Sequence, residues 1–187
     1  MKVIKLGGSL MGDADILTAC LNTIEQNNKD KVVIVPGGGV FADQVRNAQK
    51  QWLINDEIAH EMAILAMQQM ALLFKGIKPG FLLANHLLNI DNRAAVFIWS
   101  PDITELNDSS IEANWNVTSD SLAAWLAVQL NADELILVKS AEIPEDLTLQ
   151  QMHKQGVIDA AFTQYIKHSS YKITLLNKNS FNEHAFT

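Results

Sequence analysis

The sequence predicts a three-layer α/β/α sandwich with a mainly parallel central sheet. Short apolar runs alternate with amphipathic helical patterns along 187 residues, and the first two runs each end in consecutive glycines. Strands that alternate with helices at this spacing pair in parallel and are covered on both faces. Runs without polar alternation, such as Val32-Val33-Ile34-Val35, are those of strands buried on both sides.

The elements follow in order. Residues 2–6 read as a buried strand, and Asp15 to about Asn27 as a helix with Ile16, Leu17, Leu21 and Ile24 along one stripe. Residues 32–35 are the second strand, uniformly β-branched. Phe41 to Lys50 is helical, and Asn55 or Asp56 caps a long helix carrying Ile58, Met62, Leu65, Ala66, Met70 and Leu73, which stops at Lys75-Gly76-Ile77-Lys78-Pro79-Gly80. Phe81 to Leu88 reads as a short helix, Ala94 to Trp99 as the third strand, and Asp102 to Asn116 as a polar loop. Thr118 or Ser119 caps a helix with Leu122, Trp125, Leu126 and Leu130, and Glu134 to Val138 is the fourth strand. Residues 141–155 show no clear period. Val157 to Ile166 reads as a helix, Lys172 to Leu176 as a last strand, and residues 177–187 as a solvated terminus.

Composition narrows the function classes. Apolar residues at 48% and charged residues at 19% describe an ordered globular protein, expected as one domain over residues 1–187. The net charge of −7 is spread along the chain and leaves no basic stripe for a phosphate backbone, so no nucleic-acid partner is expected. The single cysteine, Cys20, forms no intramolecular disulfide, sits in an apolar helical setting as core filling, and fits a reducing, cytoplasmic location. The first residues are too short an apolar stretch for a signal peptide, and no run is long enough to span a membrane.

The chemistry concentrates at the glycine turns, Lys5-Leu6-Gly7-Gly8-Ser9 and Val35-Pro36-Gly37-Gly38-Gly39. A strand ending in glycines brings bare backbone N–H groups close to whatever lies above the sheet edge, and a helix starting next adds its dipole; both favour an anion. Lys5 lies in an otherwise apolar strand, where a lysine needs a partner. Lysine with backbone donors is what phosphoryl transfer requires. The lysine precedes the glycines and neither G-x-x-x-x-G-K-[ST] nor G-x-G-x-x-G occurs, so this is neither a P-loop nor a dinucleotide fingerprint.

The polar run Asn114-Trp115-Asn116-Val117-Thr118-Ser119-Asp120-Ser121 stands at a loop-to-helix junction. Asp120 there either favours the helix dipole or serves a site, since capping needs only one or two of these groups. Asp56 and His60 share a helix face at i,i+4, where they pair or meet a substrate. Trp115 is the tryptophan expected at a ligand. The histidines are scattered and form no zinc site, so no protein-held metal is expected.

In these residues the chain resembles the amino-acid kinase family, which includes acetylglutamate, aspartate, carbamate, uridylate and isopentenyl-phosphate kinases. Three blocks in the family's order carry the resemblance: Lys5-Leu6-Gly7-Gly8-Ser9; Val35-Pro36-Gly37-Gly38-Gly39 with Ala42-Asp43-Gln44-Val45-Arg46 behind it; and Thr118-Ser119-Asp120-Ser121-Leu122-Ala123-Ala124. It implies a catalytic Lys5 at the transferring phosphoryl group, an Asp120 that organises the lysines, and phosphate binding by Gly7, Gly8, Ser9, Gly37, Gly38 and Gly39. Residues 56–67, Trp115 to Asp120 and, weakly, Gly156-Val157-Ile158-Asp159 look like the small kinases of methanofuran and methylofuran biosynthesis, which phosphorylate an aminomethyl-furanmethyl phosphate to the diphosphate. That likeness implies an acceptor pocket between the second glycine turn and the 56–67 helix, with Asp56, His60, Trp115 and Thr118 on the substrate. It also implies ATP, with Mg²⁺ held through the nucleotide phosphates, and a homodimer or higher homo-oligomer.

The departures lie in the nucleotide half, which begins near residue 139 and is short for the family. Val138 runs into Lys139-Ser140-Ala141-Glu142-Ile143-Pro144 where the family commonly has Thr-Asp-Val-Asp-Gly, and Ala160 stands where it carries a lysine. Lys139 or Lys154 is then the substitute on the nucleotide, since either delivers a point charge. Two function classes follow: a small-molecule kinase acting on a phosphate or carboxylate acceptor, and a non-catalytic relative that binds a phosphorylated ligand or joins a biosynthetic complex. Nucleotide binding separates them. The acidic start of the long helix (Asp56, Glu57, Glu61) suits an amine-bearing acceptor, although a solvated helix start explains the same residues.

Overall fold

Strands buried on both faces decide how this chain folds. In the computed structural model, which describes residues 1–27, 29–109, 111–141, 143, 148–167 and 169–186, six strands form a single sheet. In chain order the elements are β1 (Lys2–Leu6), α1 (Ala14–Gln26), β2 (Val32–Pro36), α2 (Gly39–Trp52), α3 (Asp56–Ile77), β3 (Leu82–Ala84), β4 (Val96–Trp99), α4 (Ile103–Asp108), α5 (Ser119–Gln129), β5 (Glu134–Lys139), α6 (Leu149–Lys154), α7 (Phe162–Ile166), β6 (Lys172–Asn177) and α8 (Phe181–His184). The strand order is β3-β4-β2-β1-β5-β6, and all pairs are parallel. The expected three-layer sandwich is what forms.

Odd-numbered residues of the central strands (Val3, Val33, Val35, Leu135, Leu137) face α5 and α7. Even-numbered ones (Ile4, Leu6, Ile34, Ile136, Val138) face α1 and α8. Lys5 and Lys139 belong to the odd set, so strand alternation delivers both ammonium groups to the α5 face. The helix α3 bridges the layers, with Ile64 and Met67 in one core and Met70, Ala71 and Phe74 in the other. Helix α5 is buried all round from Asp120 to Ala127, because it lies between the sheet and α7.

Several expected boundaries are corrected. The segment expected as a helix over 81–88 contains β3, since the edge of β4 takes Leu82, Leu83 and Ala84 into the ladder. The polar stretch after Pro101 contains α4, capped by Asp102 on the Glu105 amide and anchored by the buried Leu106. The long helix, by contrast, ends at Ile77, inside the expected 75–80 stop, and the Lys75 ammonium donates to the carbonyls of Pro79 and Phe81. The unpatterned 141–155 stretch contains α6, started by a Thr148–Gln151 capping box. The helix expected over 157–166 begins only at Phe162, because Asp159 serves another helix. The expected solvated terminus carries α8, whose Phe181 is fully buried against α1. Cys20 is core filling as expected, and burial pushes its thiol up to about 11. No helix among the described residues is long and apolar enough to cross a membrane.

Candidate active site

The site begins where β1, β2 and β5 end together. The Gly37 amide donates to the Leu6 carbonyl at 2.9 Å and the Gly7 amide to the Val138 carbonyl at 3.0 Å, which ties the tip of β1 to both neighbours. Beyond this tie the two glycine turns meet backbone to backbone. A Cβ on Gly8 would lie 2.3 Å from the Gly39 nitrogen, and one on Gly37 would lie 2.4 Å from the Gly8 nitrogen. Gly39, which opens α2, has φ of +55°, a left-handed conformation that glycine adopts without strain. The crossing thus forms a cradle of close-packed main chain at the carboxyl ends of parallel strands, next to the N-terminus of a helix.

Over this cradle one carboxylate holds two ammonium groups. The Lys5 nitrogen lies 2.8 Å from Oδ1 of Asp120, an ion pair outside hydrogen-bond alignment, and the Lys139 ammonium donates to Oδ2. Asp120 and Lys5 are almost wholly buried. Burial alone would raise the Asp120 carboxyl, but the charges of Lys5 and Lys139 outweigh it and hold the group below the ordinary carboxylate value. Burial, then repulsion from Lys5, pushes the Lys139 ammonium down to about 8, with Asp120 and Asp159 pulling the other way. Two cations on one anion leave net positive charge near the ends of β1 and β5, an arrangement able to stabilise a phosphoryl group as its charge develops.

A cavity of about 330 Å³ opens beside the cradle, lined by Gly37, Gly38, Gly39, His60, Trp115 and Thr118 among others. His60 is buried in its wall. Burial lowers its imidazole below the ordinary value, while a hydrogen bond with the Asn114 backbone and the charge of Glu61 act in the opposite sense. The Trp115 ring carries the Arg46 guanidinium at 4.1 Å, and its Nε1 donates to Gln49 at 2.6 Å. A second cavity of about 320 Å³ adjoins the first, sharing Arg46, Trp115 and Thr118 and adding Asp120, His153, Gly156 and Asp159.

The residues expected from the sequence divide accordingly. Lys5, Asp120, Lys139, the two glycine turns, His60, Trp115 and Thr118 come together. Ser9 lies at the cavity rim, its hydroxyl 2.8 Å from that of Ser140. Asp56 lies outside the lining: it is exposed and accepts from Gln49 at 2.8 Å instead of pairing with His60 four residues on. Neither Lys139 nor Lys154 lines a cavity, but Lys154 is exposed on α6 whereas Lys139 is seated on Asp120. The Thr118 hydroxyl is committed to Asp159 at 2.8 Å, so the α5 cap comes from a residue 41 positions away and not from Thr118 itself. Sequence reading assigned no site role to Arg46 or to Asp159. The signal for Arg46 was its place seven residues after Gly39, which returns it to the turn two helical turns later. The signal for Asp159 was its place in the weak Gly156-Val157-Ile158-Asp159 likeness, which gave it no role.

Fold and site together describe a parallel α/β protein with a glycine cradle and paired lysines at its strand ends. The sequence profile of the amino acid kinase family matches residues 1–142, and the chain belongs to that family. A [5-(aminomethyl)furan-3-yl]methyl phosphate kinase from Methanocaldococcus jannaschii is 31% identical over 146 residues, covering 76% of this chain and 67% of the relative. Solved structures agree on the fold. The uridylate kinase of Archaeoglobus fulgidus superimposes with a TM-score of 0.71 at 19% identity, covering 98% of this chain and 94% of that one. The aspartate kinase of Synechocystis gives 0.68 at 13% identity, covering 96% of this chain and 38% of the other.

Proposed function

We propose that this protein is a small-molecule kinase that moves the γ-phosphoryl group of ATP onto a phosphate-bearing acceptor. The observation that supports it most is the Lys5–Asp120–Lys139 cluster at the strand ends that carry the glycine turns. An oxygen of the acceptor phosphate attacks the γ-phosphorus, the bond from that phosphorus to the β,γ-bridging oxygen breaks, and ADP leaves as a diphosphate product forms. Lys5 and Lys139 neutralise charge on the transferring oxygens, and Asp120 holds both side chains in place between them. Backbone amides of Gly8, Gly38 and Gly39, with Ser9, hold the phosphate oxygens, whereas the expected Gly7 and Gly37 amides are spent on the Val138 and Leu6 carbonyls and serve by shaping the cradle. The cradle and its two cations fit a polyphosphate, and because Asp120 is spent on lysines, Mg²⁺ is assigned to the nucleotide phosphates.

The acceptor is placed in the cavity between α2 and α3, against His60, Trp115 and Thr118, with Arg46 supplying the cation for its own phosphate. The Methanocaldococcus relative's substrate, an aminomethyl-furan phosphate, is the acceptor we assign, and its flat ring suits a wall built from Trp115. We also propose a homodimer through α3. Ile58, Leu65 and Leu72 recur every seven residues and stay 46%, 45% and 59% exposed, so neighbouring helices of the same chain leave this stripe uncovered. Titration with ATP–Mg²⁺, followed by an ADP-release assay on the furan phosphate, tests the function. Saturable micromolar nucleotide binding with turnover is expected. A folded sample that binds nothing at millimolar nucleotide overturns the kinase and leaves a non-catalytic binder of phosphorylated ligands.

A further inference from the structure

The first turn of α5, which carries Asp120, is not capped by its own sequence. Thr118 occupies the N-cap position, yet its side chain makes no capping bond. Asp159, which lines the second cavity beside Thr118 and Asp120, does this instead. One of its oxygens accepts from the Thr118 amide at 2.9 Å, the Thr118 hydroxyl at 2.8 Å and the Ser121 amide at 3.0 Å. The other accepts from the Ser121 hydroxyl. The four donors come from the two residues that bracket Ser119 and Asp120. A further tie, from the Ala161 amide to the Asn116 carbonyl at 3.0 Å, holds the same segment to the loop before α5.

We propose that Asp159 is a positioning residue of the phosphoryl-transfer site: it clamps both sides of Asp120 and so keeps the carboxylate between Lys5 and Lys139. The inference rests on the kinase reading for its catalytic consequence, though not for its geometry. Helix stability alone does not require this device, because Thr118 is itself a competent capping type and α5 is buried against the sheet and α7. A remote carboxylate adds what a local cap lacks: it makes the position of Asp120 depend on the segment lining the second cavity with His153, Gly156 and Ala160. Asp159 lies beyond residue 142, where the family profile match ends, so the segment that holds the helix of Asp120 is outside the matched region. Its charge also acts on Lys139, alongside those of Lys5 and Asp120.

The test compares Asp159→Ala with Asp159→Asn. The asparagine oxygen retains the acceptor for the Thr118 and Ser121 amides, whereas alanine deletes the clamp. Asp159→Ala is expected to lower kcat at least tenfold with KM for ATP within about threefold, and Asp159→Asn to restore kcat to within about threefold of wild type. Rates are taken where circular dichroism reports folded protein. A second readout needs no turnover: the pH midpoint for acylation of Lys139, followed by mass spectrometry. Loss of Asp120 alignment lowers this midpoint further in the alanine variant than in the asparagine variant, whereas a cap that only stabilises the helix leaves the two equal. Equal midpoints with kcat of Asp159→Ala near wild type overturn the inference. Separated midpoints with no wild-type turnover overturn the kinase reading and uphold the positioning role. Should Asp159→Ala not fold, Ser121→Ala, which deletes a single donor, must lower kcat by threefold or more, and an unchanged rate overturns the inference.

Discussion

Replacing Gly37 by alanine should disable the site through a single contact. The new Cβ would stand 2.4 Å from the Gly8 nitrogen and 3.0 Å from the Gly8 Cα, where ordinary contact begins near 3.4 Å. Both neighbours are main chain, so no rotamer relieves the clash, and the two glycine turns must part by about 1 Å. The Gly37 backbone is not left-handed, so alanine adopts it and the whole effect comes from this approach. Overpacking of this kind costs about 1–3 kcal/mol of stability, and misplacement of reacting groups by about 1 Å costs roughly 10²-fold in rate. Gly76→Ala is the control. Nothing lies within 4 Å of its added Cβ and it sits in α3, so it should gain up to about 0.5–1 kcal/mol with turnover unchanged. Urea denaturation of both variants, alongside ADP release, gives the two numbers. A Gly37→Ala protein with wild-type midpoint and more than a tenth of wild-type kcat would refute the close crossing of the turns.

Four further outcomes are expected. Lys5→Ala should reduce kcat to below a tenth of wild type in the same assay while leaving Asp120 paired with Lys139, so the circular dichroism spectrum should not change. Asp120→Asn should cost roughly 10²-fold in kcat and about 3 kcal/mol of stability, because it leaves two ammonium groups side by side with their carboxylate gone; a retained rate would return Asp120 to a helix-dipole role. Lys139 acts as an ammonium and its pKa is depressed to about 8, so kcat/KM should hold below that pH and fall above it; a profile flat to about pH 9.5 would remove Lys139 from the mechanism. Leu65→Arg should convert a dimer to a monomer in light scattering, and a monomer mass for the wild type at tens of micromolar would remove the α3 interface.

Much of this molecule is legible in its local sequence. The β-branched runs, the consecutive glycines and the asparagine cap at Asn55 each act within a few residues, and the strands and long helices stand where those signals put them. Short elements were not legible. Leu82 to Ala84 is a strand because β4 offers an edge, and α8 is a helix because Phe181 has a slot beside α1; neither reason lies within the segment. At the site, the glycines stand at strand ends and Lys5 is a charge in an apolar strand, whereas Asp120 lies in a polar run where a helix-dipole role and a site role read alike. The choice between Lys139 and Lys154 had no such signal, since both are lysines near a departed motif.

By itself, then, the sequence determined the parallel sandwich, the glycine turns at two strand ends and the lysine that precedes the first of them, because periodicity and backbone freedom are local properties. Only the tertiary structure decided which lysine joins Lys5, that Asp56 turns away from His60, and that Asp159 caps the helix of Asp120. Those outcomes depend on register and packing: β5 pairs with β1 so that Leu137 stands beside Lys5, and alternation then carries Lys139 to the same face. The distance along the chain from Asp159 to Thr118, 41 residues, is closed by α7 packing on α5, and no pattern within either segment encodes that contact.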